Sequence, residues 1–264
     1  MIFPVLKAAL VIALGVPLLA YAFQERLLFF PQPLSEARRA DIRQRQPSVE
    51  EVFIESERHT LHAWHVKAGP DAPLVLYFGG NAEDVSWMIE ESAQVPGVAW
   101  LLTDYRGYGL SEGSPGEAAL VADALAWYDR FAPQAKRVFA FGRSLGSGVA
   151  VQLAAARPVQ ALVLVTPYDS IAAVAKRHYW YLPVDLLLKH RFDSIARAPA
   201  MKAPLLCLVA AEDAVIPPEH AERLFAAWGG PKRKVLLQAA GHNSTDAHPL
   251  FWPAVREFLS QPLQ

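Results

Sequence analysis

Ser144, Asp213 and His242 stand far apart along the chain, yet their types and order suit acyl transfer. A serine hydroxyl attacks a carbonyl only when a base removes its proton, and an imidazole serves as that base when an acid fixes its tautomer. Ser144 lies in Gly142-Arg143-Ser144-Leu145-Gly146, directly behind the apolar run at 138–141. A strand that turns abruptly into a helix lifts such a serine above the sheet in a strained conformation, and flanking glycines remove the side chains that would block the turn. The helix starting there aims unpaired N–H groups and its positive dipole end at the same point. Gly-x-Ser-x-Gly alone also suits a plain serine N-cap, so the strand–turn–helix setting carries the assignment.

The acid and the base are sought at other strand ends. Asp213 follows the run 205–209, and His242 follows 234–238 in Gly241-His242-Asn243. Asp169, after 161–165, and Glu212 are the competing carboxylates. His59, His62 and His65 fall in an opening strand pair, His178, His190 and His220 in helical stretches, and His248 at the start of the last helix. These read as surface or capping residues. The oxyanion formed during acyl transfer needs two donors already aimed at it. Leu145 N–H is the first. The second is assigned to Asn81 N–H in Gly79-Gly80-Asn81-Ala82, where adjacent glycines permit an unusual turn after the run 74–78. Arg143 reads as a structural salt-bridge partner, with contact to an anionic substrate group as the alternative. No group of residues has metal-ligand spacing, and the scheme calls for neither metal nor organic cofactor.

These residues must be held by a sheet. Short runs rich in Val, Leu and Phe recur at 51–55, 61–66, 74–78, 98–103, 138–141, 161–165, 205–209 and 234–238. Helix-like stretches such as 117–130 and 149–156 lie between them. Alternation of this kind predicts a mostly parallel sheet covered on both faces, with sites at the carboxyl ends of the strands. Residues 26–264 are expected to form one catalytic domain with a small cap or none. Lys+Arg 25 against Asp+Glu 26 gives no basic surface, so nucleic acid is not an expected partner. Cys207 is the only cysteine, which excludes an intrachain disulfide.

The first 23 residues, MIFPVLKAALVIALGVPLLAYAF, carry one charge, Lys7. About 20 helical residues span the ~30 Å hydrocarbon core. The expectation is an N-terminal hydrophobic helix over 1–25 that anchors the protein in a membrane through residues 3–23. Ala20-Tyr21-Ala22 resembles a signal-peptidase site, so export after cleavage near Ala22 is the alternative. Arg26, Arg38, Arg39, Arg43 and Arg45 all follow the segment, which favours a cytoplasmic catalytic domain, whereas signal-peptide logic favours the opposite side.

The order Ser, Asp, His and the motifs together resemble the α/β-hydrolase superfamily, and within it the membrane-anchored Bem46-like (ABHD13/ABHD17-like) serine hydrolases. The resemblance rests on Phe30-Pro31-Gln32-Pro33, Gly79-Gly80-Asn81, the long segment from Asp104-Tyr105-Arg106-Gly107-Tyr108-Gly109 to Pro115-Gly116-Glu117, Gly-Arg-Ser-Leu-Gly-Ser-Gly, Asp213 four residues before Pro217, and Gly241-His242-Asn243. It implies an α/β-hydrolase fold and hydrolysis of acyl esters or thioesters, with lipid-like acyl substrates. Gly79 departs from the histidine usual in the family, which puts the second oxyanion donor in question. Residues 168–204 hold His178-Tyr179-Trp180-Tyr181-Leu182-Pro183 and Leu186-Leu187-Leu188, read either as the roof of an acyl pocket or as ordinary packing. A serine peptidase of the same fold and a catalytically silent membrane-tethered scaffold are the alternative functions.

Overall fold

A computed structural model describes residues 2–260, with side chains described at residue 7 and from residue 13 onward. The β-branched, leucine and aromatic runs become strands because such side chains fit a pleated surface with both faces covered. β1 (Val49–Ser56) and β2 (His59–Val66) form a hairpin across Glu57 and Arg58, both at positive φ, 46° and 68°. β3 (Leu74–Phe78), β4 (Ala99–Thr103), β5 (Val138–Arg143), β6 (Ala161–Val165), β7 (Leu205–Ala210) and β8 (Lys232–Leu237) follow. They join one eight-stranded sheet in the order β1-β2-β4-β3-β5-β6-β7-β8. β2 runs antiparallel to both neighbours and the remaining pairs are parallel.

Successive residues of β3 point to opposite faces, as a period of two requires. Leu74, Leu76 and Phe78 join one core, and Val75 and Tyr77 the other. The helices are α1 (Ile2–Leu28), α2 (Glu36–Arg45), α3 (Met88–Glu91), α4 (Glu117–Phe131), α5 (Leu145–Ala156), α6 (Ile171–His178), α7 (Val184–Leu187), α8 (Pro218–Ala227) and α9 (Phe251–Ser260). α4, α5 and α8 cover the first face, and α2, α3 and α9 the second. α5 starts four residues before the predicted 149, directly behind Ser144, because tertiary packing of Gly146 and Gly148 overrides their weak helix propensity. The stretch 166–204 holds only the short α6, α7 and a 3₁₀ turn, which agrees with a small cap.

The expectation of a bilayer-spanning anchor over 3–23 is overturned. Among the described residues, no helix is long and apolar enough to cross a membrane. α1 is helical but contains Pro17, and the polar Gln24, Glu25 and Arg26 lie within it near its end. The expected segment over 3–6 and 8–12 lies outside the described side chains. The end of α1 is instead part of the folded body. Buried Gln24 donates to Leu187 O at 3.0 Å and accepts from Lys189 N at 2.7 Å.

The conspicuous segment that opens at Asp104 makes the floor of this architecture. Arg106 and Asp123 of α4 form a bidentate pair, both almost fully buried, with Ser56 Oγ donating to Asp123 at 2.8 Å. Removing one member strands the other in an apolar place. Asp123→Ala is therefore expected to cost about 3–5 kcal/mol in urea unfolding, and Arg106→Met combined with Asp123→Leu clearly less. A single-variant loss below about 1 kcal/mol would contradict the assignment.

Candidate active site

β5 ends at Arg143 and α5 begins at Leu145, so Ser144 is the entire turn between them. Its backbone has φ 51° and ψ −115°, a conformation that costs a non-glycine residue about 1–3 kcal/mol. Neighbours hold it there. Ser144 N donates to Val165 O at 2.9 Å, and its carbonyl accepts from Ser147 N at 2.9 Å and Ser147 Oγ at 2.6 Å. A Cβ on Gly142 would collide with the Gly146 carbonyl, and one on Gly146 with the carbonyls of Phe78 and Gly79.

The fold closes the gaps of 98 and 29 residues between the three sequence-singled side chains. Ser144 Oγ lies 2.9 Å from His242 Nε2, and His242 Nδ1 lies 2.7 Å from Asp213 Oδ2. Asp213 sits beyond β7 in a turn that its own Oδ1 closes, accepting from Val215 N at 2.9 Å and Ile216 N at 2.8 Å. An ionised carboxylate only accepts hydrogen bonds, so the His242 proton belongs on Nδ1 and Nε2 is free to accept from the serine hydroxyl. Ser144 is 8% and Asp213 6% exposed, which keeps bulk water from competing for this line.

The rival groups are engaged elsewhere. Asp169 binds His220 Nδ1 at 2.7 Å and Arg223 Nε at 2.6 Å. Burial pushes the Asp169 carboxyl up, but the hydrogen bonds from His220 and Arg223 outweigh it and hold the group below its ordinary value. Glu212 is exposed. His62 and His220, expected as surface or capping residues, are buried hydrogen-bond partners of carboxylates, with His62 Nδ1 2.7 Å from Asp104 Oδ2. His178 donates to Val215 O, His190 Nδ1 accepts from Glu117 N and His248 Nδ1 from Leu250 N. Burial in β7 pushes the Cys207 thiol up to about 12, so it stays a thiol and not a nucleophile.

Leu145 opens α5, and its amide has no partner within the helix. The loop after β3 lies against Ser144: a Cβ on Gly80 would stand 3.7 Å from Ser144 Cβ. Gly80 N itself is taken by Glu83 Oε2 at 2.6 Å. The same carboxylate accepts from Tyr77 Oη at 2.5 Å and Trp87 Nε1 at 2.9 Å. Tyr105 Oη donates to Gly79 O at 2.7 Å, and burial keeps that phenol protonated by raising it well above its ordinary value. The Asn81 side chain is a clip. Its Oδ1 accepts from Tyr108 Oη at 2.7 Å and Phe30 N at 3.0 Å, and its Nδ2 donates to Leu28 O at 2.6 Å.

Glu83 was not singled out in the sequence, and Tyr105 and Tyr108 stood in the segment from Asp104 to Glu117 without a role. Glu83 left one signal, its position three residues after Gly80, the spacing at which a carboxylate folds back onto a backbone N–H. It also accounts for Gly79. A Cβ there would lie 2.8 Å from Val85 Cγ1 and 3.0 Å from Glu83 Oε1, so the room for a side chain is already filled. Arg143 is 14% exposed, 3.7 Å from Glu83 and 4.0 Å from Asp246, with its guanidinium 5.4 Å from the Trp87 ring centre. That is the structural salt bridge.

Comparison with known proteins places this arrangement. A family model described as serine aminopeptidase, S33, matches residues 74–192. Uncharacterized protein Rv2307c of Mycobacterium tuberculosis is 35% identical over 271 residues, covering 98% of this chain and 95% of that protein. Human alpha/beta hydrolase domain-containing protein 17B is 29% identical over 223 residues, covering 79% of this chain and 74% of that protein. The chain belongs to the α/β-hydrolase superfamily. The esterase Pf2001 of Pyrococcus furiosus shares the α/β-hydrolase fold with a TM-score of 0.61 at 19% identity, over 80% of this chain and 91% of that one. Within the superfamily the chain has an ABHD-like relationship.

The Asp169 cluster generates a stability prediction. Asp169→Asn is expected to destabilise the protein by about 2–3 kcal/mol at pH 7, because charge-assisted hydrogen bonds to His220 and Arg223 are weakened. A carboxyl held below its unfolded value of ~3.9 stabilises at pH above that value, and the effect fades as pH falls through the folded value. Urea unfolding should show the gap between wild type and variant narrowing below about pH 4, and a gap that widens in acid would count against this reading.

Proposed function

We propose that this protein is a serine hydrolase that cleaves carboxylic esters or thioesters of lipid-like acyl groups through an acyl-enzyme on Ser144. The observation that carries the reading is the unbroken hydrogen-bonded line from Ser144 Oγ through His242 to Asp213, mounted on a positive-φ elbow. As Ser144 Oγ attacks the carbonyl carbon, His242 Nε2 takes the hydroxyl proton and Asp213 stabilises the resulting imidazolium. The Leu145 and Asn81 amides hold the developing oxyanion. Collapse breaks the bond to the leaving oxygen or sulfur, which receives the proton from His242. Water then attacks the acyl-enzyme with His242 as base, releasing the acid and restoring Ser144. No step calls on a metal or an organic cofactor.

Glu83 is assigned as a positioning residue, because it fixes the Gly80 amide and links the oxyanion loop to Arg143. The match to a model described as serine aminopeptidase favours amide hydrolysis by the same residues as a second reading. p-Nitrophenyl esters and aminoacyl p-nitroanilides separate the two.

Fluorophosphonate labelling of the purified protein beside Ser144→Ala tests the nucleophile. Labelling that vanishes in the variant is expected, whereas folded wild-type protein that takes up no probe would sink the proposal and leave a silent scaffold. Glu83→Gln is expected to lower kcat about tenfold with KM nearly unchanged, a fraction of the 10²–10³ typical for losing a whole oxyanion donor. An equal rise in KM with unaltered kcat would mean that Glu83 supports binding and not the transition state.

A further inference from the structure

Between α1 and the stretch that carries α6 and α7 lies a cavity of about 190 Å³. Ala20, Leu27 and Leu28 of α1 form one wall, with Ala175, Leu182 and Leu187 opposite. The polar side chains in the lining are Gln24 and Tyr179, and the groups of Gln24 are engaged: Nε2 donates to Tyr21 O and Leu187 O, and Oε1 accepts from Lys189 N. The remaining surface therefore rewards hydrocarbon and penalises a polar occupant. The same glutamine locks α1 to the residues around α7, so the cavity has a built wall on each side.

One lining residue contacts the loop beside Ser144 directly, and two others stand near residues that reach toward Asp213 and Leu145. Leu28 O accepts from Asn81 Nδ2 on the oxyanion loop at 2.6 Å. His178, beside Tyr179 of the lining, donates to Val215 O, and Val215 N in turn donates to Asp213 Oδ1. Ile171 follows Tyr168 by three residues, and Tyr168 Oη donates to Leu145 O at 2.9 Å. An apolar cavity of about 150 Å³ takes up benzene, six carbons, so this one suits on the order of eight.

We propose that this cavity receives the acyl chain, about eight carbons long, of the ester attacked by Ser144, which makes α1 a wall of the substrate site. The inference rests on the serine-hydrolase reading above and adds to it the chain length and the element that selects it. The chemistry at the carbonyl is unchanged. The cavity supplies binding of the hydrocarbon tail, and that binding orients the carbonyl between Ser144 and the oxyanion amides.

The test compares kcat/KM for p-nitrophenyl acetate and p-nitrophenyl octanoate. Wild type is expected to prefer octanoate at least tenfold. Ala175→Phe fills the cavity from α6 and Ala20→Phe fills it independently from α1, and each is expected to lower the octanoate-to-acetate ratio at least tenfold. An unchanged ratio in whichever variant melts like wild type would overturn the proposal. Calorimetric titration of Ser144→Ala with octanoic acid separates this inference from the one beneath it. Binding that disappears on adding Ala175→Phe supports the cavity even where fluorophosphonate fails to label wild type, and absence of octanoic acid binding to Ser144→Ala rejects the cavity while leaving the labelling result untouched.

Discussion

The start of α5 lies against the end of β3 so closely that Gly146 touches the carbonyls of Phe78 and Gly79, and no side chain fits between them. This approach brings the turn after β5 and the loop after β3 to one point, although 63 residues separate Asn81 from Ser144. It also makes Ser144 the whole connection between strand and helix, which forces the positive φ. The strain persists because Val165 O, Ser147 N and Ser147 Oγ hold the peptide on both sides. A larger residue at 142 or 146 would separate these segments and with them the Leu145 amide from the loop at 79–82.

Around that contact, buried carboxylates divide the work of holding loops. Glu83 gathers Gly80 N, Tyr77 Oη and Trp87 Nε1, and Asp213 closes its own turn while facing His242. Asp104 lies between His62 and the Leu110 amide, and burial raises its carboxyl against the opposing pull of the His62 hydrogen bond. The long segment from Asp104 to Glu117 is thus a support and not a reacting group. Arg106 pairs with Asp123, Glu112 accepts from Thr60 N, and Tyr105 and Tyr108 reach up to Gly79 and Asn81. Leu28 and Phe30 complete the ring by binding Asn81 from the α1 side, so the N-terminal helix is joined to the loop beside Ser144.

That junction is why hydropathy misjudged the N-terminus. A window average registers that the segment is apolar, but it does not register Pro17, the polar Gln24-Glu25-Arg26 that follows residue 23, or the partners waiting for Gln24 at Leu187 and Lys189. The buried histidines failed for a related reason. His62 and His220 look like ordinary polar residues in a strand and a helix, because their partners Asp104 and Asp169 lie 42 and 51 residues away.

By itself the sequence determined the alternation of strands and helices, since side-chain period and β-branched content are local properties, and it marked Ser144, Asp213 and His242 because strand ends and chain order are written along the chain. Two adjacent glycines likewise marked the loop at 79–82. Tertiary structure alone decided the rest: that Glu83 fills the space beside Gly79, that Asn81 is clipped by Tyr108 and Leu28, that Asp169 belongs to His220, and that α1 ends in the fold beside a cavity. Each of these depends on a distance between residues remote in sequence, and burial and hydrogen-bond partnership exist only once the chain has closed those distances.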